Sequence, residues 1–313
     1  MILNRPSAFQ SLDDLLNATY SDILQNGVLI ESKREANLEI IQFAATLLNP
    51  RVRTSLSLDR KLVKSKFAEF AWYLSKDSDK NFIKPYISDY DQEEQENDKI
   101  LGGYGPKIFS LIHGRQSQYE RIIEQIVKRG TTKQAYLAIS DSEDYKYRSE
   151  KHASPPCTIG LHFYVRNDKL NLTVYMRSND AYLGLPHDLF CFTMLQELVS
   201  LRTNIPLGVY THCATSMHVY EKHIGKIQDY LKEGFHEPVE MPFMVDGSAK
   251  VLDLVSKEFD SKIGKSNLQE LNDYWKDYSL FSHKHTRNRD KESWKELFKN
   301  ETMKLIATNS IIQ

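Results

Sequence analysis

Cysteine, glycine and proline are scarce in this chain of 313 residues, which has three cysteines, 13 glycines and 10 prolines. A small, odd number of cysteines does not build a disulfide framework and indicates a reducing compartment, so we expect a cytoplasmic protein. The low glycine and proline content excludes fibrous and low-complexity classes. The 41 basic and 42 acidic residues give a net charge of −1. That balance argues against a broad surface for nucleic acid or for an anionic membrane.

Long apolar runs and the common site motifs are also lacking. Apolar runs such as 43–48 are far shorter than a membrane span. Residues 1–16 contain no basic segment followed by an apolar one, so we expect no secretory signal. The chain has no Walker loop, dinucleotide-binding glycine motif, paired Cys-x-x-Cys or His-Glu-x-x-His. His212, His218 and His223 match no standard spacing of metal ligands, so we expect no metal.

Hydrophobic periodicity predicts a mixture of helices and strands. Hydrophobic residues make up 41% of the chain, which is enough for a sizeable core. Apolar residues at helical spacing predict helices over 61–74 and 117–129, and the apolar segment 38–43 is predicted to be a strand. Two alternating segments within 157–177 predict a β-hairpin. The fold class that follows is α/β, with a mixed sheet packed by helices.

The remaining segments define the expected domain organisation. Pro186 is expected to open a helix, which would place Asp188 in its first turn. The acidic segment 76–98 is predicted to be a surface insertion more than a functional element. No repeat or linker interrupts the chain, so we expect one catalytic domain over 1–245. The polar, mostly helical residues 246–313 are expected to form a C-terminal extension packed on that domain.

Three separated blocks carry the chemistry, and they run from Ser154 to Thr158, from Tyr175 to Asp188, and from Ser216 to Tyr220. In residues and order they resemble the nucleophile, Arg-Ser-x-Asp phosphate and His-x-Tyr sugar motifs of the folate-dependent thymidylate synthase superfamily, which includes pyrimidine-nucleotide hydroxymethylases. The resemblance runs roughly from residue 32 to 223. It implies a thymidylate-synthase-like mixed sheet, 5,10-methylenetetrahydrofolate as cosubstrate, a pyrimidine nucleoside monophosphate as substrate, and a homodimer.

Cys157 is the candidate nucleophile. A thiolate can add to an electrophilic ring carbon, and Pro155 and Pro156 hold the chain before it. Taken alone, a cysteine at a strand start is more often a core residue. The resemblance implies that Cys157 attacks C6 of the pyrimidine.

Several basic and polar residues are candidates for nucleotide binding. Arginine offers a planar fork to a phosphate, and serine adds a hydroxyl donor. The resemblance assigns this role to Arg177, Ser178 and Asn179, and assigns the sugar contact to His218 and Tyr220. Lys133 and Gln134 occupy the place of a basic pair that reaches the phosphate from the other subunit. Because these two depart from the usual arginines, Arg51, Arg53 or Arg34 can compensate.

Acid–base and folate-binding candidates complete the set. Glu69 lies among apolar neighbours, which suits a general acid or base with a raised pKa. The resemblance implies that Glu69 relays protons through ordered water and that Tyr104 is an active-site tyrosine, although a packed loop aromatic explains Tyr104 equally well. Asp180 and Trp72 are the folate-binding candidates.

Asp188 distinguishes between substrates. Synthases of this family carry asparagine here, which can donate to uracil O4 and accept from N3–H. An ionised aspartate only accepts, which suits the 4-amino group of cytosine, and either a protonated aspartate or a cytosine protonated at N3 completes the pair. The dCMP hydroxymethylases of the family have aspartate at this place. We therefore predict a cytidylate (CMP or dCMP) 5-hydroxymethylase, a transferase of one-carbon units.

Two alternatives remain open. One is methylation of dUMP in the manner of a thymidylate synthase, and the other is a catalytically silent family member that binds nucleotide. In the predicted reaction Cys157 adds to C6, C5 takes the one-carbon unit from the folate, and water adds to that carbon before the cysteine departs.

Overall fold

The computed structural model describes residues 7–31, 35–57, 63–88, 90, 98–100, 102–145, 155–287 and 289–309. Arg34 therefore lies outside the described residues. Within them, a seven-stranded sheet has the order β1-β3-β7-β6-β5-β4, and β2 pairs with β3. The strands are Ser7–Phe9 (β1), Val28–Ile30 (β2), Asn37–Leu47 (β3), Tyr136–Ala138 (β4), Thr158–Arg166 (β5), Lys169–Asp180 (β6) and Leu207–Tyr220 (β7).

The sheet is mixed, because β1–β3 and β6–β7 are parallel pairs and the other neighbours are antiparallel. The helices are Leu12–Asn26 (α1), Val63–Leu74 (α2), Lys80–Ile83 (α3), Gly105–Phe109 (α4), Gln118–Arg129 (α5), Gly184–Thr203 (α6), Ile224–Glu233 (α7), Ala249–Phe259 (α8), Asp273–Ser279 (α9), His283–Thr286 (α10), Lys291–Lys295 (α11) and Glu301–Thr308 (α12). No helix in the described part of the chain is long and apolar enough to cross a membrane. The α/β fold predicted from the sequence is confirmed.

The β5–β6 hairpin is formed as predicted. Asn167 and Asp168 connect the two strands with φ angles of +52° and +56°. Two successive residues with positive φ match the right-handed twist of the flanking strands, and asparagine and aspartate tolerate this conformation better than most residues. The hairpin brings Cys157, just before β5, beside Arg177 on β6, whose backbone N–H donates to the Cys157 carbonyl at 2.9 Å.

Helices α2 and α6 pack against each other beside the sheet. Every residue of α2 is buried, and most of α6 is buried too. A helix covered on all sides needs partners on all sides, and residues after 245 supply some of them for α2. The Tyr278 hydroxyl donates to the Phe67 carbonyl at 2.7 Å, and the ring of Phe281 stacks on Phe67 with centroids 4.1 Å apart.

A buried ion pair ties the segment after β3 to α6. Arg53 is fully buried, and its guanidinium donates to Glu197. Glu197 also accepts the Met244 backbone N–H at 2.9 Å. Arg53 therefore cannot bind a phosphate in this arrangement, so its sequence-based assignment is wrong. A buried charge must keep its partner, and Arg53 already has one.

Replacing Arg53 with methionine should destabilise the fold by about 3–5 kcal/mol, because Glu197 is left as an unpaired buried charge. Urea unfolding followed by circular dichroism measures this change. The double variant Arg53→Met/Glu197→Met should recover part of the loss, because neither charge is then left alone. Lys232→Met, which removes an exposed pair with Asp229, should leave the unfolding midpoint unchanged. A midpoint for Arg53→Met equal to that of the native chain would contradict this role.

Candidate active site

A cleft of about 420 Å³ opens where β6 and β7 end beside α2 and the start of α6. Its polar and catalytic candidates come from five separate parts of the chain. The sequence-predicted residues that line it are Glu69, Tyr104, Cys157, Arg177, Ser178, Asn179, Asp180, Asp188, His218 and Tyr220. The fold thus brings together residues that are more than 150 positions apart in the chain.

Cys157 lies at the cleft wall with its side chain half-buried. The guanidinium of Arg177 holds the two residues before it, donating from Nε to the Pro156 carbonyl at 3.0 Å and from Nη2 to the Pro155 carbonyl at 2.8 Å. The carbonyls of two adjacent residues thus occupy both donor positions on the Nε–Nη2 edge of the planar guanidinium. The positive charge is therefore held next to the segment that presents the thiol.

Glu69 is a buried carboxyl at the cleft. Its side chain is 6% exposed. Burial raises the pKa of Glu69 to about 7, and the Tyr73 hydroxyl, which donates to Oε1 at 3.0 Å, opposes that rise. A carboxyl with a pKa near 7 is present in both protonation states at neutral pH, so it can accept and return a proton.

Asp188 is the second buried carboxyl, at 8% exposed. The helix begins at Gly184, so Asp188 is its fifth residue, and the expectation that it lies in the first turn is wrong. Gly184 lets the helix start close to β6, because a Cβ there would lie 2.7 Å from Nδ2 of Asn179. Burial raises the pKa of Asp188 well above its usual range. The nearby charge of Glu69 adds to the rise, and a hydrogen bond from Asn179 opposes it.

A chain of buried hydrogen bonds leads away from Asp188 into the core. Nδ2 of Asn179 donates to Oδ2 of Asp188 at 2.8 Å. Oδ1 of Asn179 lies 3.0 Å from Nε2 of His212, and Nδ1 of His212 lies 2.9 Å from the Tyr210 hydroxyl. Tyr210 and His212 were not predicted as site residues. The two residues are two positions apart on β7, which puts both side chains on one face of the sheet. That spacing was the sequence feature that could have identified them.

His218 and Asp180 are neighbours across the β6–β7 pair. Oδ1 of Asp180 accepts the backbone N–H groups of Tyr182 at 2.7 Å and Leu183 at 3.2 Å, which holds the turn into α6. Burial lowers the pKa of His218, while the nearby Asp180 opposes that change. The ring of Tyr220 lies edge-on to that of His218 with centroids 5.1 Å apart. This group therefore forms a polar wall of the cleft.

Trp72, Lys133, Gln134 and Arg51 do not line this cleft. Trp72 is fully buried, so its assignment as a direct folate contact is wrong; its indole packs against Tyr90, which does line the cleft. Arg51 is paired with Glu240 and donates to the Met241 carbonyl at 2.7 Å, so its assignment to the phosphate of this cleft is also wrong.

Lys133 and Gln134 lie just before β4, the edge strand of the sheet. Oε1 of Gln134 accepts from Arg129 at 2.8 Å. The role predicted for this pair is to reach the phosphate in the cleft of a second subunit.

Sequence reasoning also missed several residues that line the cleft. Ile87 and Tyr90 lie in the acidic segment predicted to be a surface insertion more than a functional element, and both line the cleft. His187 lines it too, and its ring bridges the Leu183 carbonyl and the Ser65 hydroxyl, each at 2.8 Å. The prediction for the acidic segment is therefore wrong in its described part, which supplies an apolar and aromatic wall.

Comparison with known proteins identifies a family. Residues 16–263 match the family model described as thymidylate synthase. Thymidylate synthases of Mycoplasma genitalium and Leuconostoc mesenteroides are 29% and 26% identical to this chain over 144 and 181 residues. These matches cover 44% and 52% of this chain and 49% and 55% of the relatives. The thymidylate synthase of Mycoplasma mobile is 34% identical over 95 residues, or 30% of this chain and 32% of the relative.

The chain thus matches between about a third and about half of the length of these curated relatives. A solved structure, thermostable thymidylate synthase A from Bacillus subtilis, aligns with a TM-score of 0.61 at 23% identity. That alignment covers 72% of this chain and 86% of the other and shows a shared fold. With a family model matching most of its length, the chain belongs to the thymidylate synthase family.

Proposed function

We propose that this protein is a folate-dependent cytidylate 5-hydroxymethylase that acts on CMP or dCMP. The observation that supports this most directly is the buried carboxyl of Asp188 in the same cleft as Cys157 and Glu69. A thiol, a proton-exchanging carboxyl and a second carboxyl able to read a base edge are the groups that this reaction requires.

Base choice rests on the hydrogen-bonding pattern of Asp188. Cytosine offers an acceptor at N3 and a donor at its 4-amino group. A neutral carboxyl offers one O–H donor and one acceptor oxygen, so it can satisfy both positions of cytosine at once. The raised pKa of Asp188 favours this neutral form over the anion. The pair with cytosine can be completed by a proton on Asp188 or by a proton on N3 of the base. Burial of the carboxyl favours the proton on Asp188.

The reaction begins with the thiolate of Cys157 bonding to C6, which makes C5 nucleophilic. C5 bonds to the methylene carbon of 5,10-methylenetetrahydrofolate and loses its proton. The bond from that carbon to the folate nitrogen breaks as tetrahydrofolate leaves, and water then adds to the new exocyclic carbon. The Cys157 sulfur leaves C6 with its bonding electron pair, which restores the aromatic ring. Glu69, with its pKa of about 7, exchanges protons with the substrate through water during these steps.

5,10-Methylenetetrahydrofolate supplies the one-carbon unit, and the described residues fit such a ligand. Tyr90, Ile87 and Leu183 line the cleft, and Leu183 is 37% exposed. Apolar and aromatic surfaces of this kind accept a flat heteroaromatic ring. Asp180 also lines the cleft and can accept from a ring N–H.

The phosphate and sugar of the nucleotide are assigned to the polar wall. Arg177 and Ser178 provide a cation and a hydroxyl for a phosphate dianion, and His218 and Tyr220 provide donors and acceptors for the sugar hydroxyl. The guanidinium of Arg177 already holds two carbonyls along its Nε–Nη2 edge. Only its Nη1–Nη2 end remains for a phosphate, and one arginine supplies one positive charge to a dianion. Lys133 and Gln134 of a second subunit complete the site in this proposal.

A partly exposed face of the sheet supports the proposed homodimer. Tyr175, Cys213 and Ala44 are successive cross-strand neighbours on β6, β7 and β3. Tyr175 is 40% exposed, and the other two are partly exposed. Aromatic and apolar side chains in a row on a sheet surface are typical of a protein–protein interface.

A dimer about twice the chain mass of 36.4 kDa is expected in sedimentation velocity, because burial of this face removes apolar area from water. Tyr175→Glu should shift the protein to monomer by placing a charge in the interface. Lys232→Met, on the exposed surface of α7, serves as the control. A native chain that sediments as a monomer at micromolar concentration would contradict the proposal.

We also propose that residues 1–245 form the catalytic domain and that residues 246–313 are an extension packed on it. The contacts of Tyr278 and Phe281 with Phe67 support this arrangement, because Phe67 lies on the same helix as Glu69. In this arrangement the extension stabilises the helix that carries the proton-exchanging carboxyl.

The central test is incubation of the protein with 5,10-methylenetetrahydrofolate and each of CMP, dCMP, UMP and dUMP. A cytosine nucleotide should become about 30 mass units heavier, whereas methyl transfer adds about 14. Mass spectrometry separates these outcomes. A gain of about 14 on dUMP would establish methylation instead, and release of no C5 tritium from any labelled nucleotide would indicate a silent family member.

Within the same assay, Cys157→Ser should abolish tritium release while nucleotide binding is retained, because a serine hydroxyl is a much weaker nucleophile than a thiolate. Lys232→Met, on the exposed surface of α7 and away from the cleft and the proposed dimer face, is the control and should leave release unchanged.

Asp188→Asn should shift preference from cytosine toward uracil nucleotides. Asparagine donates to O4 and accepts from N3–H of uracil, whereas the carboxyl pairs with N3 and the 4-amino group of cytosine. The ratio of kcat/KM for the two bases, measured with matched CMP and UMP or dCMP and dUMP, should change about 100-fold or more. An unchanged ratio would remove Asp188 from base recognition.

A further inference from the structure

A buried polar chain runs from the core beneath the sheet to the cleft and ends on Asp188. Its members are Tyr210, His212 and Asn179, which are 0%, 0% and 4% exposed. Buried polar groups of this kind are costly unless each one is satisfied. Each link of this chain is a hydrogen bond of 2.8–3.0 Å.

The chain has a defined direction. Oδ1 of Asn179 can only accept, so Nε2 of His212 must donate to it. Burial lowers the pKa of His212 to about 3, so the ring is neutral and carries a single proton. That proton is on Nε2, which leaves Nδ1 as an acceptor for the Tyr210 hydroxyl. The amide of Asn179 is thereby oriented with Nδ2 toward Asp188.

Asn179 in turn makes the two carboxyl oxygens of Asp188 unequal. Oδ2 accepts from Nδ2 of Asn179 at 2.8 Å. A carboxyl oxygen that carries the proton is the weaker acceptor, so this bond favours Oδ2 as the carbonyl oxygen and Oδ1 as the hydroxyl. Oδ2 keeps a second lone pair for a ligand.

We propose that Tyr210 and His212 are positioning residues for base recognition, which through Asn179 hold Oδ2 of Asp188 as an acceptor for the 4-amino group and Oδ1 as the donor to N3 of cytosine. This inference rests on the proposed function of Asp188. Without the chain, the carboxyl could place its proton on either oxygen and pair with uracil as well, since uracil presents the reverse pattern of an acceptor at O4 and a donor at N3.

Other ionisable groups also act on this carboxyl. Glu69 and Tyr73 reach it from α2, Tyr104 from the segment before α4, Tyr210 from β7, and Cys191 from its own helix. The tests below therefore change only His212 or Tyr210 and leave Glu69 in place.

Two substitutions of His212 form a matched pair. The amide nitrogen of glutamine can occupy the place of Nε2, whereas that of the shorter asparagine can occupy only the place of Nδ1. His212→Gln therefore retains a donor for Asn179, and His212→Asn withdraws it. The preference for CMP over UMP, or for dCMP over dUMP, measured by calorimetric titration, should fall about 10-fold in His212→Asn and be largely retained in His212→Gln.

Tyr210→Phe is the second variant, in case His212→Asn fails to fold. It removes one hydroxyl and should lower the same preference about threefold. An equal loss of preference in His212→Gln and His212→Asn would overturn the inference. So would an unchanged preference in folded His212→Asn or in folded Tyr210→Phe. Either result would leave the proposed function intact.

Two measurements on the free protein do not depend on a nucleotide. Nitrogen-15 NMR of labelled histidine should show His212 as the neutral Nε2–H tautomer from pH 5 to 8. Infrared difference spectra against Asp188→Asn should show the Asp188 carboxyl band titrating at higher pH in His212→Asn, because the Asn179 bond that favours ionisation is weakened. An Nδ1–H tautomer or an unshifted titration would refute the chain. The NMR and infrared results could be as expected while the native protein binds none of the four nucleotides. That outcome would overturn both the proposed function and the role of the hydrogen-bonded chain in base recognition.

Discussion

The burial of two carboxyl groups in one cleft is the constraint on which the rest of the site depends. Glu69 comes from α2 and Asp188 from α6, and water reaches neither of them freely. Removing a carboxylate from water costs more than removing the neutral acid, so burial favours the protonated forms. Each receives one neutral donor, from Tyr73 and Asn179, which partly offsets that cost. The cleft is therefore suited to proton exchange and to the base recognition proposed for Asp188.

That burial requires support from outside the cleft. Helix α2 is covered on all sides, and part of its cover comes from Tyr278 and Phe281, in the segment after residue 245. Helix α6 is held through the Arg53–Glu197 pair and through Gly184, which lets it start close to β6. Since a displacement of about 1 Å can cost a large factor in rate, residues far from the reacting atoms contribute to the geometry of the proposed reaction.

Much of this arrangement was predictable from sequence. Alternating apolar residues predicted the β5–β6 hairpin, and the motif blocks predicted that Cys157, Arg177 and Asp188 would meet at one site. Roles assigned from local pattern alone were less secure. Trp72 and Arg53 have the residue types that bind a folate and a phosphate, but both are fully buried. A tryptophan or an arginine has the same local signature whether it faces a ligand or the core.

The sequence by itself determined the α/β class, the helical and strand periods and the residues that resemble the thymidylate synthase family, because these depend on local spacing and residue type. Only the tertiary structure decided which oxygen of Asp188 receives a hydrogen bond, because the donor chain comes from β6 and β7. Only the packing of distant segments decided that Tyr90 lines the cleft while Trp72 lies behind it. Burial, which sets the protonation of both carboxyls, is a property of contacts between distant segments and cannot be assigned to any one of them alone.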